Sequence, residues 1–454
     1  MHPEGQHGWT FKEYRKLNRS QIQNSSPSDQ NYDDGLFSAQ DDPSDENMDE
    51  STDYVTCREF YAYRLQIRPF SVSDRRCYFL MFGRLLQQYM VDQYAKIEGE
   101  RLRWYANNQD ELLVANYQGL SDALLATDGD MTVSNIARPI ILPSSFTCGP
   151  RHMNQQFQDA MGIVRRYGKP DLFITFTCNP KWPEITDNLI GNQTTSDRPD
   201  LTARVFKIKL MALLNDLFVM NIFGKQVAYT WVVEFQKRGL PHAHILLILE
   251  SEYKIKQIAD IDNIVCAEIP NEADCPLTFA TITSSMIHGP CGDLNPKAPC
   301  MINGKCSKNF PRGLSQETTI KDDGYPDYRR RPGMTFTNRR GIVIDNSWVV
   351  PYNPWLATKY DAHINVEICS SVAAVKYLYK YIHKGYDKAR ATVASDDNTR
   401  NEIKEFVDSR FVSASESMWR IFRFKMHGQF PSIFRLQVHV EGQHLVITLC
   451  NLFI

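Results

Sequence analysis

Alternation is the clearest pattern along the chain. From Lys225 to Phe235, Val227, Tyr229, Trp231 and Val233 occupy every second position, the period of a half-buried strand. Ile245-Leu-Leu-Ile-Leu249 is continuously apolar and reads as a strand covered on both faces. The six residues after the first run, Gln236-Lys-Arg-Gly-Leu-Pro241, form a short basic turn leading through His242-Ala243-His244 into the second, which predicts an antiparallel hairpin. Asp171-Leu-Phe-Ile-Thr-Phe-Thr177 is a third strand, turned off by Cys178-Asn179-Pro180. Helical spacing runs through Glu59–Arg64, Tyr78–Trp104, residues 150–168 (capped by Gly168) and residues 201–222. Val349-Val-Pro-Tyr and Asp361–Ile368 resume strand character, and a helix follows from Ser371 to Lys384. Strand, helix, strand, turn, strand predicts an α+β fold: a central antiparallel sheet with flanking helices, a helical N-terminal region and a Cys/His insertion.

The breaks in that pattern divide the chain. Residues 1–57 hold 4 Lys/Arg and 12 Asp/Glu, and no basic residue lies between Ser20 and Cys57, so this stretch is expected to be a disordered acidic tail. Residues 58–130 read as a helical region and 131–250 as the first part of the α+β domain. Residues 251–345, rich in Gly, Pro, Cys and charge, read as a basic insertion. The second part of the domain spans 346–410 with its tyrosine helix, and 411–454 reads as the start of a linker.

Charge refines the picture. The whole chain of 454 residues carries a formal net charge of −2 from 51 basic and 53 acidic residues. Removing the 4 and 12 of the tail leaves 47 basic and 41 acidic, a net +6 for residues 58–454, compatible with a phosphate-backbone partner. Eleven cysteines, no apolar leader at Met1-His-Pro-Glu and no run long enough to span a membrane point to a protein neither secreted nor membrane-bound, with thiols free or on metal. No G-x-x-x-x-G-K-[ST] occurs, so no ATPase is expected in this chain.

His242-Ala243-His244 is the leading chemical signal. Alternate strand residues face the same way, so both imidazoles serve one face and can share one metal ion. Glu234 and Gln236 have the parity to join them across the hairpin, and either oxygen serves as third ligand. The carboxylate holds a hard cation such as Mg²⁺ or Mn²⁺ better. Downstream, Tyr377, Tyr381 and Lys384 are i, i+4 and i+7 on the expected helix, with Lys380 beside them. A buried amphipathic stripe is the plain reading. The chemical one is a pair of nucleophiles: a phenol of pKa about 10 is a weak nucleophile until an ammonium and a polarised phosphate assist it. In the insertion, His288, Cys291, Cys300 and Cys306 have the residue types and tight-turn surroundings of a structural Zn²⁺ site, with scattered buried thiols as the alternative. Lys305, Lys308, Arg312, Arg329-Arg-Arg331, Arg339 and Arg340 offer a backbone grip or simply a solvated face. Arg101, Arg103 and Trp104 mix cation and aromatic in the manner of a single-strand contact, or else form an ordinary helix end. His363, Asn365 and Glu367 share one face of the strand before the tyrosine helix, where satisfying the fold is the first reading and a place behind the metal ligands or facing DNA the second.

Arg101-Leu-Arg-Trp, Leu142-Pro-Ser-Ser-Phe146, Phe176-Thr-Cys-Asn-Pro-Lys-Trp182, Glu234–His244 and Lys376-Tyr-Leu-Tyr-Lys-Tyr381 together resemble the rolling-circle nuclease domain of Helitron transposases. These belong to the histidine–hydrophobe–histidine endonucleases, although the middle residue here is Ala243. The resemblance runs from about Arg58 to about Thr448. It implies a metal-dependent single-stranded DNA endonuclease and transesterase acting on transposon ends. His242 and His244 would be the ligands, Tyr377 and Tyr381 the successive nucleophiles, and the product a 5′-phosphotyrosine with a free 3′-hydroxyl. Thr175, Thr177 and Asn179 match the family's first motif, a strand beside the active site, and with Lys237 and Arg238 are expected to meet DNA. The DNA target implies the nucleus. Family members usually continue into a helicase domain. The closing Leu449-Cys-Asn-Leu-Phe-Ile reads as a truncated end, so helicase function is expected from a missing C-terminal domain or another copy. The competing expectation is a catalytically inactive, single-strand-binding fragment of a decayed transposon.

Overall fold

The computed structural model describes residues 8–10, 54–67, 80–109, 112, 140–236, 239–322, 324–369, 401–408 and 410–434. Almost all of the expected acidic tail, and the whole tyrosine helix with Tyr377, Lys380, Tyr381 and Lys384, lie outside these residues.

Two helices lead in, α1 (Cys57–Arg64) and α2 (Arg84–Asn107). Thr56 caps α1 reciprocally with Glu59, each side chain accepting the other's backbone N–H. Helix α3 (Pro150–Tyr167) starts on a proline and ends at Gly168, whose φ of +91° falls where a side chain is strained. There follow β1 (Leu172–Thr177), the short α4 (Pro183–Thr186), α5 (Pro199–Phe218), β2 (Gln226–Phe235) and β3 (Pro241–Leu249). The stretch after β3 carries α6 (Ile258–Ile264), α7 (Pro276–Ser285) and three small hairpins: β4 (Met301–Ile302) with β5 (Lys305–Cys306), β6 (Thr319–Ile320) with β7 (Pro326–Asp327), and β8 (Thr335–Thr337) with β9 (Val343–Asp345). Then come α8 (Pro354–Tyr360), β10 (Ile364–Ile368), α9 (Glu402–Asp408), α10 (Ala414–Ile421) and β11 (His427–Phe430).

Five strands form one antiparallel sheet in the order β10-β1-β3-β2-β11. The α+β fold expected from the alternation is therefore present, and β2 and β3 pair as the hairpin their turn predicted. Gly239, at φ +84°, makes that turn possible, and its N–H closes it onto Gln236 O at 2.7 Å. Position 242 in β3 faces position 234 in β2, the register read from parity.

The two sheet faces differ. Leu172, Ile174, Phe176, Trp231, Val233, Ala243, Ile245, Leu247, Ile364 and Val366 point to one side and merge with α1, α2, α5 and α10 into the main core. Phe176 stacks on Phe206 of α5 at 5.2 Å, and Trp182 donates its indole N–H to Tyr360 O. The other face is apolar only at one end, where Ala160, Phe157, Met161 and Val164 of α3 cover Phe173, Leu246 and Val232. Its other end is polar and carries the candidate site.

One expectation is corrected. Residues 411–434, read as the start of a linker, supply α10 and the fifth strand. Trp419 of α10 is 1 % exposed in the main core, and its indole N–H donates to Lys425 O. Burial of Met418, Trp419 and Ile421 in α10 and edge pairing of β11 make this stretch part of the sheet domain.

Candidate metal centre

The site grows from strand register. β1 and β2 flank β3, so Thr175 lies opposite His244, Thr177 opposite His242, and Glu234 opposite His242 from the other side. Directly opposed residues of antiparallel strands point to one face. Five polar side chains are thereby gathered on a buried sheet, with His242 8 % and His244 9 % exposed.

Hydrogen bonds orient both rings. Thr177 Oγ1 sits 2.7 Å from His242 Nδ1, and Thr175 Oγ1 sits 3.2 Å from His244 Nδ1. Phe173 stacks on the His244 ring at 5.6 Å and 6°. The Nε2 atoms are left to face the site. His244 Nε2 lies 3.5 Å from Glu234 Oε2. His242 Nε2 is buried and has no hydrogen-bond partner among the described residues, and the same is true of Glu234 Oε1. Buried polar atoms of this kind are nearly always partnered, so two together mark a place for a ligand. Burial, with His244 and His363 adding to it, pushes the His242 imidazole down to about 3, which keeps it neutral and able to ligate.

The donor set, two imidazoles and a carboxylate, fits a divalent cation with positions left for phosphate oxygens. Its ligating atoms are not drawn into one tight cluster. Among the described residues, the only group of three or more whose candidate atoms all lie within 4.8 Å of one another is His288, Cys291, Cys300 and Cys306. Gln236, the other candidate third ligand, lies beyond the end of β2 and is exposed.

The second cluster is built by its turns. Asn303 and Gly304, at φ +52° and +76°, form the two-residue turn between β4 and β5 and set Met301 opposite Cys306. Cys300 follows into place as its carbonyl accepts Ser307 N–H at 2.8 Å. His288 Nε2 lies 3.5 Å from Cys306 Sγ, and the His288 ring stacks on Phe310 at 4.3 Å. Burial and the neighbouring thiols push Cys291 up to about 12. Burial also opposes ionisation of Cys306, but backbone hydrogen bonds at Phe310 and Lys308 outweigh it and bring that thiol below its ordinary value. A dication would draw the whole set toward thiolate. The Asn-Gly turn was the missed sequence signal for this arrangement.

Other expected contacts fall elsewhere. Arg330 is 3 % exposed and donates to the carbonyls of Ala267, Asn346 and Val349, while Arg331 grips Glu268 and Arg329 pairs with Asp262. This basic run braces the insertion, because a buried guanidinium must spend its donors on local acceptors. Arg339 and Arg340 are exposed. Asn179 is used in its own turn, donating to Asp361 O and accepting from Lys181 N–H. Arg101 lies over the Phe146 ring, while Arg103 and Trp104 are exposed. Lys237 and Arg238 lie outside the described residues. Of the trio before the tyrosine segment, Asn365 faces Thr175 and bonds Glu367, and His363 reaches Thr177.

Residues 60–247 match the family model described as the Helitron helicase-like domain at the N-terminus. The matched stretch is similar to that Helitron domain. It takes in Thr175, Thr177, Glu234, His242 and His244, and it stops three residues past the second histidine. The Cys/His cluster and the tyrosine segment lie downstream of the Helitron-like match. No curated protein matches the chain. Among the described residues, no helix is long and apolar enough to cross a membrane.

Proposed function

We propose that this Helitron-related domain nicks and rejoins single-stranded DNA at transposon ends, with His242, His244 and Glu234 holding Mg²⁺ or Mn²⁺ and Tyr377 and Tyr381 as nucleophiles. The observation that carries the reading is the pair of buried, unpartnered atoms, His242 Nε2 and Glu234 Oε1, on one polar sheet face beside His244. Glu234 is preferred to Gln236 because its carboxylate already meets His244, while Gln236 is exposed.

The chain's own groups divide the work. The imidazoles and carboxylate bind the cation; when bound, it polarises the scissile phosphate and offsets charge built up in the transition state. A tyrosine phenolate oxygen forms a bond to phosphorus, and the 3′-oxygen departs and takes up a proton. The 5′-phosphate stays on the tyrosine. Lys380 and Lys384, each three residues after one of the tyrosines, stabilise the phenolate by charge. The phosphotyrosine ester retains the energy of the phosphodiester, so a 3′-hydroxyl can attack it and rejoin the strand without ATP. The second tyrosine allows a second cleavage before the first ester is resolved. Exposed Arg103 and Trp104 contact the strand, His288, Cys291, Cys300 and Cys306 hold a structural Zn²⁺, and the DNA target places the protein in the nucleus.

The test is a labelled single-stranded oligonucleotide library with Mn²⁺. A covalent protein–DNA adduct that is absent with chelator and in Tyr377→Phe/Tyr381→Phe supports the enzyme. Binding with no adduct across the library supports the inactive single-strand-binding fragment instead.

A further inference from the structure

Thr177 stands at the centre of a hydrogen-bonded row that crosses three strand ends. Its Oγ1 lies 2.7 Å from His242 Nδ1 on β3 and 3.5 Å from His363 Nδ1, just before β10. Its own backbone N–H donates to His363 O at 3.0 Å, which fixes the row to the main chain. A hydroxyl has one proton to give and lone pairs to receive, so it cannot donate to both rings. We propose that Thr177 is a positioning residue: its hydroxyl accepts the Nδ1–H of His242 and gives its own proton to His363 Nδ1, leaving the His242 Nε2 lone pair for the metal.

The opposite assignment is costly. If Thr177 donated to His242 Nδ1, the ring proton would sit on Nε2, a buried atom with no hydrogen-bond partner among the described residues. A buried N–H left without an acceptor is strongly disfavoured. Placing the proton on Nδ1 makes the 2.7 Å bond instead and turns Nε2 into a ligand. Thr175 repeats the geometry on His244, but there Nε2 also faces Glu234 Oε2 at 3.5 Å, so that ring is held from both sides. Thr177 is therefore the more consequential of the two, and its partner His363 becomes part of the site rather than of the fold alone.

This inference rests on the proposed metal at His242 and His244, and its test separates the two. Long-range nitrogen–proton correlation spectra of the metal-free protein at neutral pH report which ring nitrogen of His242 carries the proton. The expected result is Nδ1–H; an Nε2–H tautomer overturns the proposal. Mn²⁺ binding, followed by electron paramagnetic resonance, gives the second readout. Thr177→Val should weaken Mn²⁺ binding about 10–100-fold, Thr177→Ser should restore it, and Thr175→Val should weaken it less. Wild-type protein that binds no Mn²⁺ defeats the metal reading and this inference together. Wild-type protein that binds Mn²⁺ no better than Thr177→Val defeats this inference alone.

Discussion

His242 is an imidazole that its surroundings keep neutral. Burial, His244 and His363 hold its folded pKa at about 3, against 6.5 for the ordinary side chain. Between those values the unfolded chain binds the extra proton, so stability falls as pH falls. From pH 7 to pH 5 this group alone removes about 2 kcal/mol from the metal-free protein. Denaturant titrations at the two pH values should show that loss in the wild type and a clearly smaller one in His242→Asn. An equal loss in both would place the acid sensitivity elsewhere. His242→Ala should lower adduct formation by more than about 100-fold, because the catalytic charge is lost. Single-strand affinity should fall by less than about threefold, since backbone affinity comes from cations. Fluorescence anisotropy beside the adduct assay distinguishes the two effects. The positions of His242, His244 and Glu234 were legible because strand parity survives folding. The role of Thr175 and Thr177 toward the ring nitrogens was not, because it depends on which strand pairs with β3.

At the scale of elements, local pattern read well where a segment satisfies itself and poorly where it is completed by distant partners. The β2–β3 hairpin and α3 announced themselves through alternation, turn chemistry and the Gly168 stop. β11 did not: His427-Gly-Gln-Phe430 is short, polar and contains a glycine, and it becomes a strand only by pairing with Tyr229–Val232. Gly428 is required there by close approach, since a Cβ at that position would lie 2.5 Å from Trp231 Nε1. Gly428→Ala should therefore destabilise the fold by about 1–3 kcal/mol, seen as a lowered melting temperature. An unchanged melting temperature would mean the strand is dispensable, as a linker would be. The insertion hairpins were likewise hidden, because their strands are two or three residues long and are held by distant partners, among them Arg330 on the Asn346 carbonyl and the apolar cluster of Ala298, Ile344 and Trp348. Stripping Zn²⁺ should speed protease cleavage within residues 286–312 about tenfold or more. Unaltered cleavage there would argue against a metal at His288, Cys291, Cys300 and Cys306.

The whole molecule joins a sheet that is apolar on one face and polar at one end of the other to a long insertion leading into β10. The insertion reaches that strand directly: Tyr328 accepts the N–H of Ile368 at 2.9 Å. β10 carries Asn365 and Glu367 on the site's face and immediately precedes the tyrosine segment. The proposed mechanism requires Tyr377 and Tyr381 to reach the scissile phosphate at the metal ligands. The most direct check is peptide mapping, by mass spectrometry, of the covalent adduct formed with single-stranded DNA and Mn²⁺. The account predicts a nucleotide 5′-phosphate esterified to Tyr377 or Tyr381, with no adduct in His242→Ala. An adduct on any other residue, or one that persists in Tyr377→Phe/Tyr381→Phe, would contradict it.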